Sequence, residues 1–158
     1  MKNLINCIVF LFFIFSGFSQ NKLNEKILLE YNIVNEELCK ILDEAIEEYK
    51  KCENTIKGYH FTITVQDVKN SDFFNIKSLY ISQSYYKNFI SDGYGFLYYK
   101  EYLFILQGEQ LNDNFKKTGN EKKFLYKEEP ILTFDPPRWL YYYYNFFYYL
   151  VDSSPCGG

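Results

Sequence analysis

Tyr59-His60-Phe61-Thr62-Ile63-Thr64-Val65-Gln66 decides the fold class, because apolar and polar side chains alternate there residue by residue. Tyr59, Phe61, Ile63 and Val65 fall on one side and His60, Thr62, Thr64 and Gln66 on the other. This is the period of a strand with one face on a core and the other toward water. Upstream the period is longer. From Leu23 to Cys52 the apolar residues Ile27, Tyr31, Val34, Leu38, Ile41, Ala45, Tyr49 and Cys52 recur at steps of three and four, with Glu36, Glu37, Asp43, Glu44, Glu47 and Glu48 between them. That spacing predicts an amphipathic helix. Acidic residues lead and Lys50-Lys51 close it, as the helix dipole favours. Asn32 and Asn35 divide it into a short leading helix and a main one, with Asn35 as the cap that accepts the first free backbone amides.

Downstream, a second strand is expected within Lys77 to Tyr86 and a turn at Ser91-Asp92-Gly93. Phe96–Tyr99 and Tyr102–Leu106 flank Lys100-Glu101 as a hairpin ending at Gly108, although Lys-Glu lacks the glycine that tight hairpin turns prefer. Gly108 to Lys123 is polar and reads as a mobile surface loop around residues 108–123. Phe124–Tyr126 and Ile131–Phe134 are short strand candidates, interrupted by Asp135-Pro136-Pro137. Trp139 to Val151 is almost wholly aromatic, which favours a strand, although Asp135 followed by Pro136 would also start a helix. A helix followed by strands, with no repeat, predicts an α+β fold: an N-terminal amphipathic helix packed on an antiparallel β-sheet of about four to six strands.

The amino end reads as an export signal. Met1-Lys2-Asn3 is a positive n-region, Leu4 to Phe15 is apolar except for Asn6, and Gly17 and Ser19 are the small residues of a peptidase site. The apolar run falls short of the about 20 residues a spanning helix needs, so cleavage after Ser19 is expected without a remaining transmembrane anchor. This pattern resembles signal peptides of the bacterial general secretory route. Cys7 lies inside the apolar run and no hydrophobic tail follows Ser153-Ser154-Pro155-Cys156, so neither lipid anchor is expected. Residues 1–19 are thus read as a signal peptide and 20–158 as one small α+β domain, secreted or periplasmic.

The chain has 158 residues and a formal net charge of -3, one unit more acidic once Lys2 is removed. Nucleic-acid binding, which wants a basic face, is not expected. Cleavage also removes Cys7 and leaves Cys39, Cys52 and Cys156 in a compartment where disulfides persist. Cys39 and Cys52 on one helix would lie roughly 19 Å apart along its axis and cannot bond. Cys52 with Cys156 is the expected disulfide, and free thiols are the alternative.

Catalytic signatures are sparse. His60 is the sole histidine and falls on the polar side of its strand, where it reads as a surface residue. No zinc, calcium-loop or phosphate-cradle spacing occurs, so no metal or cofactor is implied. Carboxylates at Asp92, Glu101, Glu109, Glu128, Glu129 and Asp135 could serve a small exported hydrolase if two of them converged on a cleft. The stronger lead is the aromatic content of 22%, carried by 17 Tyr and 16 Phe. AT-rich coding accounts for part of it, but tyrosines on a sheet surface also offer rings for stacking and hydroxyls for hydrogen bonds. The expectation is an exported, non-enzymatic binding or interaction domain for a protein or glycan partner in the cell envelope or outside the cell. Its contact residues would be Tyr85, Tyr86, Tyr98, Tyr99, Trp139, Tyr141 and Tyr143.

Overall fold

The computed structural model describes residues 23–52, 60–68, 76–84, 90–126 and 136–156. In chain order the elements are β1 (Asn24–Ile33), α1 (Glu36–Lys50), β2 (His60–Asp67), β3 (Lys77–Ser84), β4 (Gly93–Tyr99), β5 (Tyr102–Gly108), β6 (Phe115–Tyr126), β7 (Arg138–Tyr144) and β8 (Phe147–Ser154). All eight strands join one sheet in the order β6-β1-β4-β5-β2-β3-β7-β8. β1 runs parallel to β4 and β2 parallel to β5, while the other neighbours are antiparallel. The chain is therefore mostly β. The α+β expectation of a helix on an antiparallel sheet of about four to six strands is corrected: the sheet is larger and mixed, with a single short helix among the described residues.

Two local readings account for the difference. Residues 24–33, expected as a leading helix, are β1; Ile27 and Val34, which carried the helical step there, are exposed, and only Tyr31 of the three is buried. A register shift between Leu29 and Tyr31 disrupts the alternation that would have marked a strand. Residues 115–123, expected within the polar loop, join the strand expected at 124–126 to form β6, whose positions 116–123 are exposed. Only Phe115 and Phe124, near its two ends, are buried, so no alternation marks this strand in the sequence.

The main helix forms where its period predicts. Asn35 Oδ1 accepts hydrogen bonds from the backbone amides of Glu37 at 2.8 Å and Leu38 at 3.4 Å. Leu38, Ile41, Leu42, Ala45, Ile46 and Tyr49 are buried with Phe61, Ile63 and Val65 of β2, Leu79 and Ile81 of β3, and Trp139 and Tyr141 of β7. Full burial of each large apolar side chain stabilises by about 1.5–3 kcal/mol. A smaller cluster of Leu28, Ile90, Phe96, Ile105 and Phe124 occupies the other side of β4 and β5, as alternation requires.

β2 departs from its expected pattern at one end. His60 and Thr62, assigned to the water side, are 4% and 3% exposed. The hydroxyls of Thr62 and Ser82 lie 2.8 Å apart, and Thr64 Oγ1 donates to Gln107 Oε1 at 3.1 Å. The β4–β5 hairpin forms as expected, with Lys100 at φ 53 supplying the left-handed residue in place of glycine. At its far end Gly108 has φ 73, and a Cβ there would lie 2.1 Å from the Val65 carbonyl oxygen. Only glycine fits, and the next amide, Glu109 N, donates to that same carbonyl at 2.9 Å. This contact turns the chain out of β5 into the loop that forms one wall of the candidate site.

Cys52 and Cys156 form a disulfide across 104 positions, with Cα atoms 5.3 Å apart, and Cys39 is a free thiol. No helix among the described residues is long and apolar enough to cross a membrane. The proposed signal segment, Tyr85, Tyr86 and the strand expected at 131–134 lie outside the described residues.

Candidate functional site

Trp139 to Val151 folds as two strands, not one. β7 and β8 pair antiparallel from Arg138↔Ser154 to Tyr144↔Phe147, with a register shift between Leu140 and Tyr141. Asn145 and Phe146 make the two-residue turn at φ 49 and φ 70. Positive φ at both central positions is the geometry that matches strand twist, and it normally selects Asn-Gly. A phenylalanine there is unusual, and the residue is 63% exposed.

Strand alternation sorts the aromatics. Trp139, Tyr141 and Tyr143 point into the core and are buried, whereas Tyr142 and Tyr144 are exposed, as are their cross-strand partners Tyr149 and Phe147. The four outer rings therefore share one face of the hairpin. Trp139 Nε1 donates to Glu48 Oε2 of α1 at 2.6 Å. Burial pushes the Tyr141 hydroxyl up to about 12 and raises those of Tyr143 and Tyr148 as well, so all three remain neutral at ordinary pH.

The other expected contact residues are scattered. Tyr99 lies on the helix side of β4 and its hydroxyl donates to Asp43 Oδ1 at 2.7 Å. Tyr98 is exposed, with Lys122 Nζ donating to its hydroxyl at 2.6 Å and lying 5.1 Å from its ring centroid. Four strand spacings separate β4 from β7, roughly 19 Å, so Tyr98 does not join the hairpin face. Among the described expected residues Tyr98 is exposed, Tyr99 is half-buried, and Trp139, Tyr141 and Tyr143 are buried. Beyond Tyr142 and Tyr144 of the aromatic run, Phe146, Phe147 and Tyr149 are also exposed on this hairpin. The Asn145-Phe146 step, a local break in the aromatic run, was the available signal for a turn.

Beside the turn lies an open cleft of about 590 Å³, lined by Gln110, Leu111, Asn112 and Asp113 on one wall and Tyr143 to Phe146 on the other, with Lys77 at its edge. Clefts of about 300–1,000 Å³ accommodate small ligands. Lys77 donates to Asp67 Oδ1 at 3.1 Å and also to Glu109. Hydrogen bonding to Glu109 first, and to Asp67, holds its ammonium above the ordinary lysine range. The Asp67 carboxyl is held low chiefly by Lys77.

Asn114 anchors the loop wall. It is 0% exposed, and its Oδ1 accepts from Asn35 Nδ2 at 2.6 Å and from the Tyr148 hydroxyl at 2.9 Å. Its backbone amide donates to the Leu111 carbonyl at 2.9 Å, and its carbonyl accepts from Val34 N at 2.9 Å. One side chain therefore ties the helix cap, the cleft loop and β8 together.

No family model matches the chain, and no curated protein or solved structure does. The fold does not bring the described carboxylate candidates together: Glu101 sits in the β4–β5 turn and Glu109 just past the far end of β5, roughly 26 Å away along the strand. Asp92 is an exposed turn residue accepting from Ser91 Oγ at 3.2 Å. Glu128, Glu129 and Asp135 lie outside the described residues. Among the described residues no group of three or more His, Cys, Asp or Glu is placed to hold a metal.

Proposed function

We propose that the chain is an exported, non-enzymatic binding domain whose contact surface is the outer face of the β7–β8 hairpin. The observation that carries this reading is the joint exposure of Tyr142, Tyr144, Phe147 and Tyr149 on two paired strands. Isolated exposed apolar residues are normal on a protein surface, but contiguous rings at an open sheet edge are a recurrent mark of an interaction site. The two edges of the sheet differ in the same sense. β6 presents Lys116, Lys117, Lys122 and Lys123 outward, as an edge protected against pairing does, while β8 exposes Tyr149, Leu150 and Val151. Export is supported by the signal-like amino end and by the Cys52–Cys156 disulfide. The partner is a glycan or protein of the envelope or the exterior.

The test is retention of an envelope partner by immobilised oxidised protein. A Tyr142→Ala/Tyr149→Ala variant with an unchanged circular dichroism spectrum should lose what the wild type holds. Equal retention by the two proteins would refute the site. Trp139, Tyr141 and Tyr143 are unsuitable for this test because their removal opens the core.

A further inference from the structure

We infer that the cleft between the Gln110–Asp113 loop and the Asn145-Phe146 turn binds one or two units of a neutral saccharide. This deepens the binding-domain reading and rests on it, since the cleft adjoins the same hairpin.

The donor set points to a polyol. Gln110, Asn112 and Asn145 each carry an adjacent amide donor and carbonyl acceptor, and Asp113 adds a carboxylate that only accepts. Vicinal hydroxyls, each both donor and acceptor, match such paired groups. Tyr144 and Phe146 supply the apolar component, flat rings against which the C–H face of a pyranose packs. A cleft holding three carboxamides, one carboxylate and aromatic rings is poorly suited to a purely apolar ligand, which would leave the polar groups unpaired.

Charge argues against an anion. Among the described lining residues Lys77 is the one cation, and it already donates to both Asp67 and Glu109. With Asp113 facing the same space, a phosphate or carboxylate ligand would meet net negative charge. A neutral ligand pays no such penalty.

The walls are held in place before any ligand arrives. Asn114 fixes the loop through Asn35, Leu111 and Tyr148, and Gly108 fixes the point where the loop leaves β5. On the other wall, Asn145 and Phe146 keep positive φ in a turn where Asn-Gly would be easier. Phe146 gains little from burial in return, being 63% exposed at the cleft rim. Backbone strain retained without a packing benefit is a mark of a functional position. Preorganised walls reduce the ordering cost that otherwise weakens binding to small polar ligands.

The experiment titrates the oxidised protein with maltohexaose, cellohexaose, xylohexaose and chitohexaose, read by calorimetry and by amide chemical-shift changes. Saturable binding of at least one is expected, with shifts at residues 110–113 and 144–146. Asn112→Ala/Asp113→Asn and Phe146→Ala should each weaken it by about tenfold or more, the loss of one or two hydrogen bonds or of a stacked ring. Tyr98→Ala should leave it unchanged. Because Asn112 and Asp113 are exposed, their variant keeps the test informative if Phe146→Ala folds poorly. Binding that survives Asn112→Ala/Asp113→Asn but is lost in Tyr142→Ala/Tyr149→Ala would overturn the cleft and leave the hairpin reading standing. Failure to bind any of the four sugars, in a protein that still retains its envelope partner, would overturn the saccharide inference alone. Failure of both would remove both.

Discussion

His60 lies at the start of β2 with Thr62 on the same face and Ser84 directly opposite, neither of them ionisable. Its Nε2 finds no hydrogen-bond partner among the described residues. Burial lowers its pKa to about 4, against an ordinary value near 6.5. The folded state therefore prefers the neutral imidazole, and the unfolded chain takes up a proton first as pH falls. This contribution to stability is complete above about pH 6.5 and is lost progressively between about pH 6.5 and 4, for a total of about 3 kcal/mol. Urea unfolding midpoints of the wild type should drop through that window, whereas His60→Gln should show a flatter profile there. Parallel profiles would mean that other groups carry the acid sensitivity. At this scale sequence legibility was limited by parity. Alternation told that neighbouring rings on β7 face opposite ways, but not that Tyr141 and Tyr143 take the core and Tyr142 and Tyr144 the surface. That choice depends on which side of the sheet α1 covers, which no local pattern records. His60 was misplaced for the same reason: the side of β2 opposite the apolar one is also buried at its first turn of sequence.

Elements were legible where a helical stripe or a chain reversal marks them. α1 shows a clean helical stripe and its Asn35 cap, and β4 and β5 show a hairpin with matched lengths. β1 and β6 were not legible, because a register shift scrambles the first and solvent surrounds most of the second; they are defined by pairing with each other. Asn35→Ala should cost about 1–2 kcal/mol, more than a simple cap, since the same side chain also donates to buried Asn114. Thermal unfolding measures it directly, and Asn32→Ala, at an exposed position, is the control. The β7–β8 turn makes the opposite prediction. Phe146→Gly relieves a left-handed conformation costing roughly 1–2 kcal/mol, partly offset by the roughly 0.5–1 kcal/mol that glycine's added freedom costs. A net gain of about 0.5–1 kcal/mol in stability is expected together with weaker sugar binding. A variant that is both less stable and equally good at binding would remove the turn from the functional account.

At the scale of the whole molecule the order of strands decides which surfaces are left open, and this order was not readable from the chain. The parallel pairs β1–β4 and β2–β5 bring together segments far apart in sequence, and no periodicity encodes such neighbours. What was readable is the covalent link. Cys52 follows α1 and Cys156 follows β8, so the disulfide fastens the carboxyl end of a strand that, among the described residues, pairs only with β7. Closing a chain loop across 104 positions lowers the entropy of the unfolded state by the equivalent of up to about 4.7 kcal/mol. That is a large share of the roughly 5–15 kcal/mol by which domains are stable. A Cys52→Ser/Cys156→Ser variant should lose a comparable amount in denaturant unfolding, while Cys39→Ser, which removes a free thiol, should lose little. The loss should also be local before it is global. Amide hydrogens of residues 147–154 should exchange much faster in the double serine variant, with those of Phe61 to Val65 in the sheet interior changing only as global stability does. Since Tyr148 on β8 holds Asn114 and hence the cleft loop, sugar affinity should fall along with β8 protection. Uniform acceleration across the sheet, with β8 no more affected than β2, would show that the disulfide stabilises the fold without holding the edge that carries the binding surface.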